Sequence, residues 1–126
     1  MHEENRISKQ IIGAAIEVHR ELGPGLLESA YVKCLEFELR EQGLAVEREV
    51  PLPVLYKGKD IDCSYRIDLL VEDLVIIEVK AVGLLHPIHT AQTLTYCKLA
   101  EVQLGLLLNF NEVLLKDGIT RIINTT

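Results

Sequence analysis

The segment Tyr65-Arg66-Ile67-Asp68-Leu69-Leu70-Val71-Glu72-Asp73-Leu74-Val75-Ile76-Ile77-Glu78-Val79-Lys80 reads as two strands joined by a short turn. Ile61, Cys63, Tyr65, Ile67, Leu69 and Val71 alternate with Asp62, Ser64, Arg66 and Asp68, the period of two expected of a strand with one buried face. Leu74 to Val82 is apolar on both sides except at Glu78 and Lys80, as in a strand covered on both faces. Those two charges need a reason, because a buried carboxylate or ammonium is costly unless neutralised, paired or bound to metal. Two residues apart, Glu78 and Lys80 share a face. Asp68 joins them or faces away according to the turn, because paired residues in an antiparallel hairpin have a constant sum. A two-residue Glu72-Asp73 loop makes the sum 145 and separates Asp68 from Glu78. A three-residue connection, Glu72 to Leu74, makes it 146, with Asp68 opposite Glu78 and Arg66 opposite Lys80. Neither Glu72 nor Asp73 is Gly or Asn, which disfavours the tight primed turns and predicts the longer connection.

Upstream, Val46, Val50, Leu52, Val54 and Tyr56 fall on one face of a further strand, with Glu47, Glu49, Pro51 and Pro53 on the other. Two prolines at i and i+2 remove donors from one side, so this strand belongs at a sheet edge or carries a bulge. Before it, Ile7, Ile11, Ala15, Val18 and Leu22 recur at helical spacing, with Ser8 a candidate N-cap and Ile7 and Ile12 a hydrophobic staple. Gly23-Pro24-Gly25 stops that helix, and a second runs from about Leu26 to Gln42 with Gly43 at its C-terminal end. Downstream, Pro87 opens a third helix reaching about Ala100, and Val102 to Phe110 reads as a central strand. Asp117-Gly118 between Val113-Leu114-Leu115 and Ile119 to Ile123 predicts a closing hairpin. The order α-α-β-β-β-α-β plus a C-terminal hairpin indicates an α/β fold, a mixed α+β sheet flanked by helices.

With 126 residues, 48% hydrophobic and 25% charged, residues 1–126 are expected to form a single domain that is neither disordered nor membrane-spanning. No secretion signal opens the chain, and a cytoplasmic location is the expectation. Cys34, Cys63 and Cys97 are odd in number and widely spaced, which argues for reduced thiols over a disulfide scaffold or zinc knuckle. Thirteen Lys and Arg against 19 Asp and Glu give a net charge of −6. That sign is wrong for a protein that coats nucleic acid, but not for a metal-dependent nuclease, in which bound cations offset clustered carboxylates.

If Asp68, Glu78 and Lys80 converge, they form two carboxylates and an amine. A hard cation such as Mg²⁺ relieves the repulsion between the carboxylates and leaves positions for water and phosphate, while the amine serves water or phosphate. A partly buried salt bridge from Lys80 to Asp68 or Glu78 is the simpler reading of Glu-x-Lys alone.

The ordered set Gly25-Leu26-Leu27-Glu28-Ser29-Ala30-Tyr31, Asp68, Glu78-Val79-Lys80, Gln92 and Tyr96 resembles the GxxExxY protein family, a branch of the PD-(D/E)XK nuclease superfamily. The similarity runs from about Ile7 to Asn124 and includes Tyr56-Lys57-Gly58, His89-Thr90-Ala91-Gln92 and Gly105-Leu106-Leu107-Leu108-Asn109-Phe110-Asn111. The proline that precedes the aspartate elsewhere in the superfamily is replaced by Ile67. The resemblance implies a restriction-endonuclease-like core in which Asp68 and Glu78 bind Mg²⁺ or Mn²⁺, Lys80 serves the attacking water and Glu28 completes the acidic site. It implies supporting or substrate-binding roles for Tyr31, Gln92 and Tyr96. Core packing explains both tyrosines equally well, and a carboxylate in the first turn of a helix, as at Glu28, favours the helix dipole without any metal. His89 reads as a helix-flank residue; His19 and His86 carry no assignment.

The leading expectation is therefore a metal-dependent nuclease acting on DNA or RNA. Two others stand beside it: a non-catalytic interaction module or subunit of a nucleic-acid-processing complex, and a metal-dependent hydrolase of small molecules. A homodimer or a protein partner is compatible with each.

Overall fold

The computed structural model describes residues 1–125. In chain order it contains α1 (His2–Leu22), α2 (Glu28–Glu41), β1 (Val46–Tyr56), β2 (Lys59–Val71), β3 (Val75–Lys80), α3 (Pro87–Ala100), β4 (Leu104–Asn109), a 3₁₀ turn (Leu115–Gly118) and β5 (Ile119–Ile123). The five strands form one sheet in sequence order. Among the described residues its only parallel pair is β3 with β4, the two strands joined by the α3 crossover; the remaining pairs are antiparallel. This is the mixed α/β architecture expected, and β1 takes the edge its prolines call for.

Helices α1 and α2 pack on one face of the sheet, through Ile7, Ile11, Val18, Tyr31, Leu35 and Leu39 against Leu69, Val71, Ile77, Val79 and Leu104, Leu106 and Leu108 of β4, with Ile119 of β5 at the margin. A smaller cluster joins Tyr96 and Cys97 of α3 to Leu52, Ile67 and Ile76 on the other face. Gly105 permits that approach, since a Cβ there would lie 2.8 Å from Cys97 Sγ. Alternation along β1 and β2 is not continuous. Ile67 and Val50 pack with α3, whereas Leu69, Val71 and Val46 pack with α1 and α2. The faces exchange at Glu49, which has a left-handed φ of 56°, so one-face patterns drawn across residues 46–56 and 61–71 fail at this point.

Three expectations need correction. α1 starts at His2, and Ser8 is buried inside it, its Oγ accepting from Arg121 at 3.0 Å. Glu3 and Glu4 in the first turn and the Glu3–Arg6 pair carry the helix back to the N terminus. The second correction concerns the C-terminal hairpin: Val113 to Leu115 is not a strand, Leu115–Gly118 is a 3₁₀ turn, and β5 pairs with β4 instead. The apolar residues Val113 and Leu114 imitate a strand but are exposed, at 83% and 54%. Finally, α2 begins at Glu28, not Leu26.

The three cysteines are free. Among the described residues no helix is long and apolar enough to cross a membrane. Three of the four histidines have structural partners. His86 is the N-cap of α3, accepting from Ile88 N–H at 3.1 Å, and His89 Nδ1 accepts from His86 N–H at 3.1 Å. His19 Nε2 lies 2.8 Å from the Glu112 carbonyl.

Candidate active site

Leu69 pairs with Ile77, Leu70 with Ile76 and Val71 with Val75, the register sum of 146 expected for the longer connection. The turn reaches that register by another route. Glu72 and Asp73 do take left-handed φ, 54° and 56°, and Leu74 N–H closes the turn on the Val71 carbonyl at 2.9 Å. Leu74 is then the extra residue that shifts the register. Two bonds to Ala45 hold Glu72 in this conformation, one from its N–H at 2.8 Å and one to its Oε2 at 2.5 Å.

Past Leu69 and Ile77 the two strands part, and side chains replace the backbone ladder. Asp68 N–H donates to Glu78 Oε2 at 2.8 Å, and Val79 N–H donates to Asp68 Oδ2 at 2.8 Å. Because the β2–β3 pairing ends at Leu69 and Ile77, Arg66, which pairs with Pro51 of β1 on its other edge, has no partner position opposite Lys80. The second oxygens, Asp68 Oδ1 and Glu78 Oε1, accept no hydrogen bond from a described residue. Both reach solvent, because no fully buried side-chain oxygen among the described residues lacks a partner.

Glu78 is only 6% exposed. Burial first, and the neighbouring Asp68 second, push its pKa from 4.5 up to about 8, against the opposing pull of the Asp68 N–H and Lys80. Asp68 moves in the same direction, chiefly through burial, with Glu28 and Glu49 adding to the rise. Half-buried Lys80 acts on both carboxylates through its charge, yet its ammonium forms no salt bridge or hydrogen bond with a described residue. The simple salt-bridge reading of Glu-x-Lys therefore lacks its contact.

Glu28, the first residue of α2, reaches the exit of β3, where its Oε2 accepts from Ala81 N–H at 3.2 Å. Among the described residues no three His, Cys, Asp or Glu side chains converge as a ready-made ligand group, and Glu28 acts on Asp68 and Glu78 through its charge. A cleft of about 450 Å³ joins Glu28 and Asp68, with Ser29, Val32, Lys33, Arg48 and Glu49 on its walls. Lys33, Arg48 and Glu49 carry no signal in the sequence, lying in ordinary helix and strand patterns. Arg48 is held at 2.8 Å by Glu36 of α2.

On the α3 side, alternation from Ile76 sends Glu78 and Lys80 toward the helix that carries Gln92 and Tyr96. Tyr96 is 6% exposed; burial, then Glu78, Tyr65 and Asp68, raise its phenol above the usual range. Burial together with Glu78 pushes the Cys97 thiol up to about 11, leaving it inert as a nucleophile. Gln92 is half-buried one turn before Tyr96. Tyr31 is elsewhere: fully buried, it stacks on Phe110 at 4.5 Å, and its hydroxyl donates to the Gly23 carbonyl at 2.6 Å while accepting from Leu26 N–H at 3.1 Å. It clamps the α1–α2 turn, in which Gly25 at φ 102° takes a conformation that side chains disfavour.

One residue not singled out by its chemistry holds the far side. Asn109, fully buried at the end of β4, pairs with Lys80 across the parallel ladder. Its Oδ1 accepts from Val82 N–H at 3.1 Å and Asn111 N–H at 3.2 Å, and its Nδ2 donates to the Val82 carbonyl at 2.9 Å. The chain leaving Lys80 is thereby fixed. An asparagine ending an otherwise apolar strand is the signal that would have found it.

Two close carboxylates on adjacent strands, a lysine two residues beyond the second, and a mixed sheet between helices form a known constellation. A family model for the PD-(D/E)XK nuclease superfamily matches residues 5–122. The chain belongs to this superfamily. Its five-stranded mixed sheet with three helices accords with the superfamily's restriction-endonuclease-like fold. Comparison with curated proteins and with solved structures gives no significant match. For a PD-(D/E)XK chain the donor set here suits a hard divalent cation: partly desolvated, mutually repelling carboxylates, each with one oxygen held by a backbone N–H and one open.

The raised carboxyl pKa values have a measurable consequence. Glu78 binds its proton more tightly folded than unfolded, so its contribution to stability is full below about pH 4.5 and is lost as pH rises toward 8. In chelator, wild-type stability should fall across that window by roughly 1 kcal/mol per pH unit relative to Glu78→Gln. Added Mg²⁺ should restore it most at pH 8, where protons no longer compete for the carboxylates. Thermal melts of the two proteins test this, and parallel Tm-versus-pH curves would refute it.

Proposed function

We propose that the protein is a metal-dependent nuclease of the GxxExxY type, hydrolysing phosphodiester bonds of DNA or RNA by direct attack of water. The observation that carries this reading is the parting of β2 from β3 at Asp68 and Glu78. Two strands give up backbone pairing there, and each carboxylate is oriented by the other strand's N–H with one oxygen left open. Asp68 and Glu78 would hold Mg²⁺ or Mn²⁺, with Glu28 adding a third acid from α2. Bound there, such an ion polarises the phosphoryl group and eases deprotonation of water.

The remaining work falls to the chain's own groups. Lys80, free of a salt bridge, directs its ammonium at the attacking water or the phosphate and stabilises charge that grows during attack. The N–H groups of Asp68 and Val79 keep both carboxylates from rotating away. Tyr96 stays a protonated donor throughout the ordinary pH range, and with Gln92 supports the site from α3. Lys33 and Arg48 place positive charge on the walls of the cleft that leads to Asp68.

A cleavage assay over single- and double-stranded DNA and RNA with Mg²⁺ or Mn²⁺ tests the proposal. At least one substrate should be cut, with cutting stopped by chelator and restored by either ion. Absence of cleavage on all of them, with metal present and the protein folded, would overturn it.

A further inference from the structure

The hairpin of β1 and β2 extends past the site as a two-stranded arm. Pro51 pairs with Arg66, Leu52 with Tyr65, Pro53 with Ser64, and Tyr56 with Lys59 near the tip. Every residue of β2 from Lys59 to Arg66 is exposed, so the core does not account for what this arm carries. It bears Lys57, Lys59 and Arg66 against Asp60 and Asp62, a positive balance in a chain of net charge −6. The Asp60 carboxylate is engaged locally, accepting from Asp62 N–H at 2.9 Å. Tyr65 lies where the arm meets the site. Its ring is 46% exposed while the Tyr96 ring behind it, 5.8 Å away between centroids, is 6% exposed. One side of Tyr65 is thus braced by a ring in the core and the other is open to solvent. Tyr65 lies three residue steps along the strand from Asp68, roughly 10 Å at the usual rise, which is one to two nucleotides of a bound strand. Tyr96 links the two, since it senses both Glu78 and Tyr65.

We propose that Tyr65 is a nucleobase-stacking residue, holding an unpaired base of a single-stranded DNA or RNA segment on its open face while the adjoining phosphate lies at Asp68 and Glu78. This rests on the nuclease reading above and narrows its substrate to single strands or unpaired ends. An unpaired base offers the face that a braced, half-exposed ring can take up, and stacking tolerates any sequence. A duplex conceals its base faces and relies on dense phosphate contacts, which three cations on an acidic protein supply poorly.

The test compares wild type, Tyr65→Phe and Tyr65→Leu. Short single strands of DNA and of RNA carrying 2-aminopurine serve as probes, for binding in Ca²⁺ and for cleavage in Mg²⁺ or Mn²⁺; a blunt duplex is the control. Tyr65→Leu should weaken single-strand binding roughly ten- to a hundredfold and lose the 2-aminopurine quenching that stacking produces. The loss should fall on KM more than on kcat, and Tyr65→Phe, which keeps the ring, should match wild type. The DNA and RNA arms identify which strand is held. Wild-type affinity for single strands in a folded Tyr65→Leu protein would overturn the stacking role alone. So would equal damage in the Phe variant, or a preference of the wild type for blunt duplex. Failure of the wild type to bind or cut any of the probes would overturn the nuclease reading and the stacking role together.

Discussion

Asp68→Asn and Glu78→Gln should each lower phosphodiester cleavage by on the order of a thousandfold, while the metal-free variants melt at or above the wild-type temperature at pH 8. The first effect follows from removing a charged ligand for an ion that contributes several kcal/mol of transition-state stabilisation, at about 1.4 kcal/mol per tenfold in rate. The second follows from the geometry. Each wild-type carboxylate is desolvated beside the other, and an amide removes that repulsion. Amides are the informative replacements because Asp68 Oδ2 and Glu78 Oε2 also accept the backbone N–H groups of Val79 and Asp68. An alanine at either position would orphan an N–H at a cost of about 1–3 kcal/mol and confuse loss of chemistry with loss of structure. Added Mg²⁺ should raise the wild-type Tm and raise neither variant's to the same degree. Wild-type cleavage by both variants would refute the assignment of these two residues.

Lys80→Ala should lower turnover roughly a hundred- to a thousandfold with little change in the metal-free melting temperature. Were Lys80 only a neutralising partner of the acids, its loss would instead leave turnover intact and depress the melt in chelator, with Mg²⁺ restoring it. The absence of a salt bridge at Lys80 among the described residues favours the first pattern. Metal affinity should be kept or improved, since a competing positive charge is gone. Turnover, metal titration and melts on this one variant separate the two, and unchanged kcat beside a metal-rescued melt would exclude the catalytic role.

Much of this was legible in the sequence because the hairpin is self-indexing. Once Leu74 is counted into the connection, pairing of Asp68 with Glu78 follows by arithmetic, and the register agrees. The turn chemistry misled, however. Glu72 and Asp73 occupy left-handed φ without Gly or Asn because Ala45, far away in sequence, supplies two bonds to Glu72. Tertiary compensation of that kind leaves no local mark. The exchange of faces was hidden for the opposite reason: in β2 apolar residues continue at every second position, from Ile67 to Leu69 and Val71, although Ile67 and Leu69 pack on opposite faces. Tyr31 illustrates a third case. Its place in the Gly25–Tyr31 motif was plain, but only the structure assigns its hydroxyl to the α1–α2 turn. Val113 and Leu114 imitated a strand by composition alone, and their exposure shows that they stay outside the core.

Strand β4, Leu104-Gly105-Leu106-Leu107-Leu108-Asn109, is nearly uniform before its last residue. A sheet strand of that composition could slide by two positions against β3 and still bury leucine on both faces, so greasy packing alone offers several almost equivalent alignments. Asn109 breaks the degeneracy. Only with Asn109 abreast of Lys80 can its amide exchange both bonds with Val82, and any slide strands a polar group in the core. One buried amide thus acts as the detent that tells a featureless strand where to stop, and the chemical site inherits its alignment from a residue that takes no part in the chemistry.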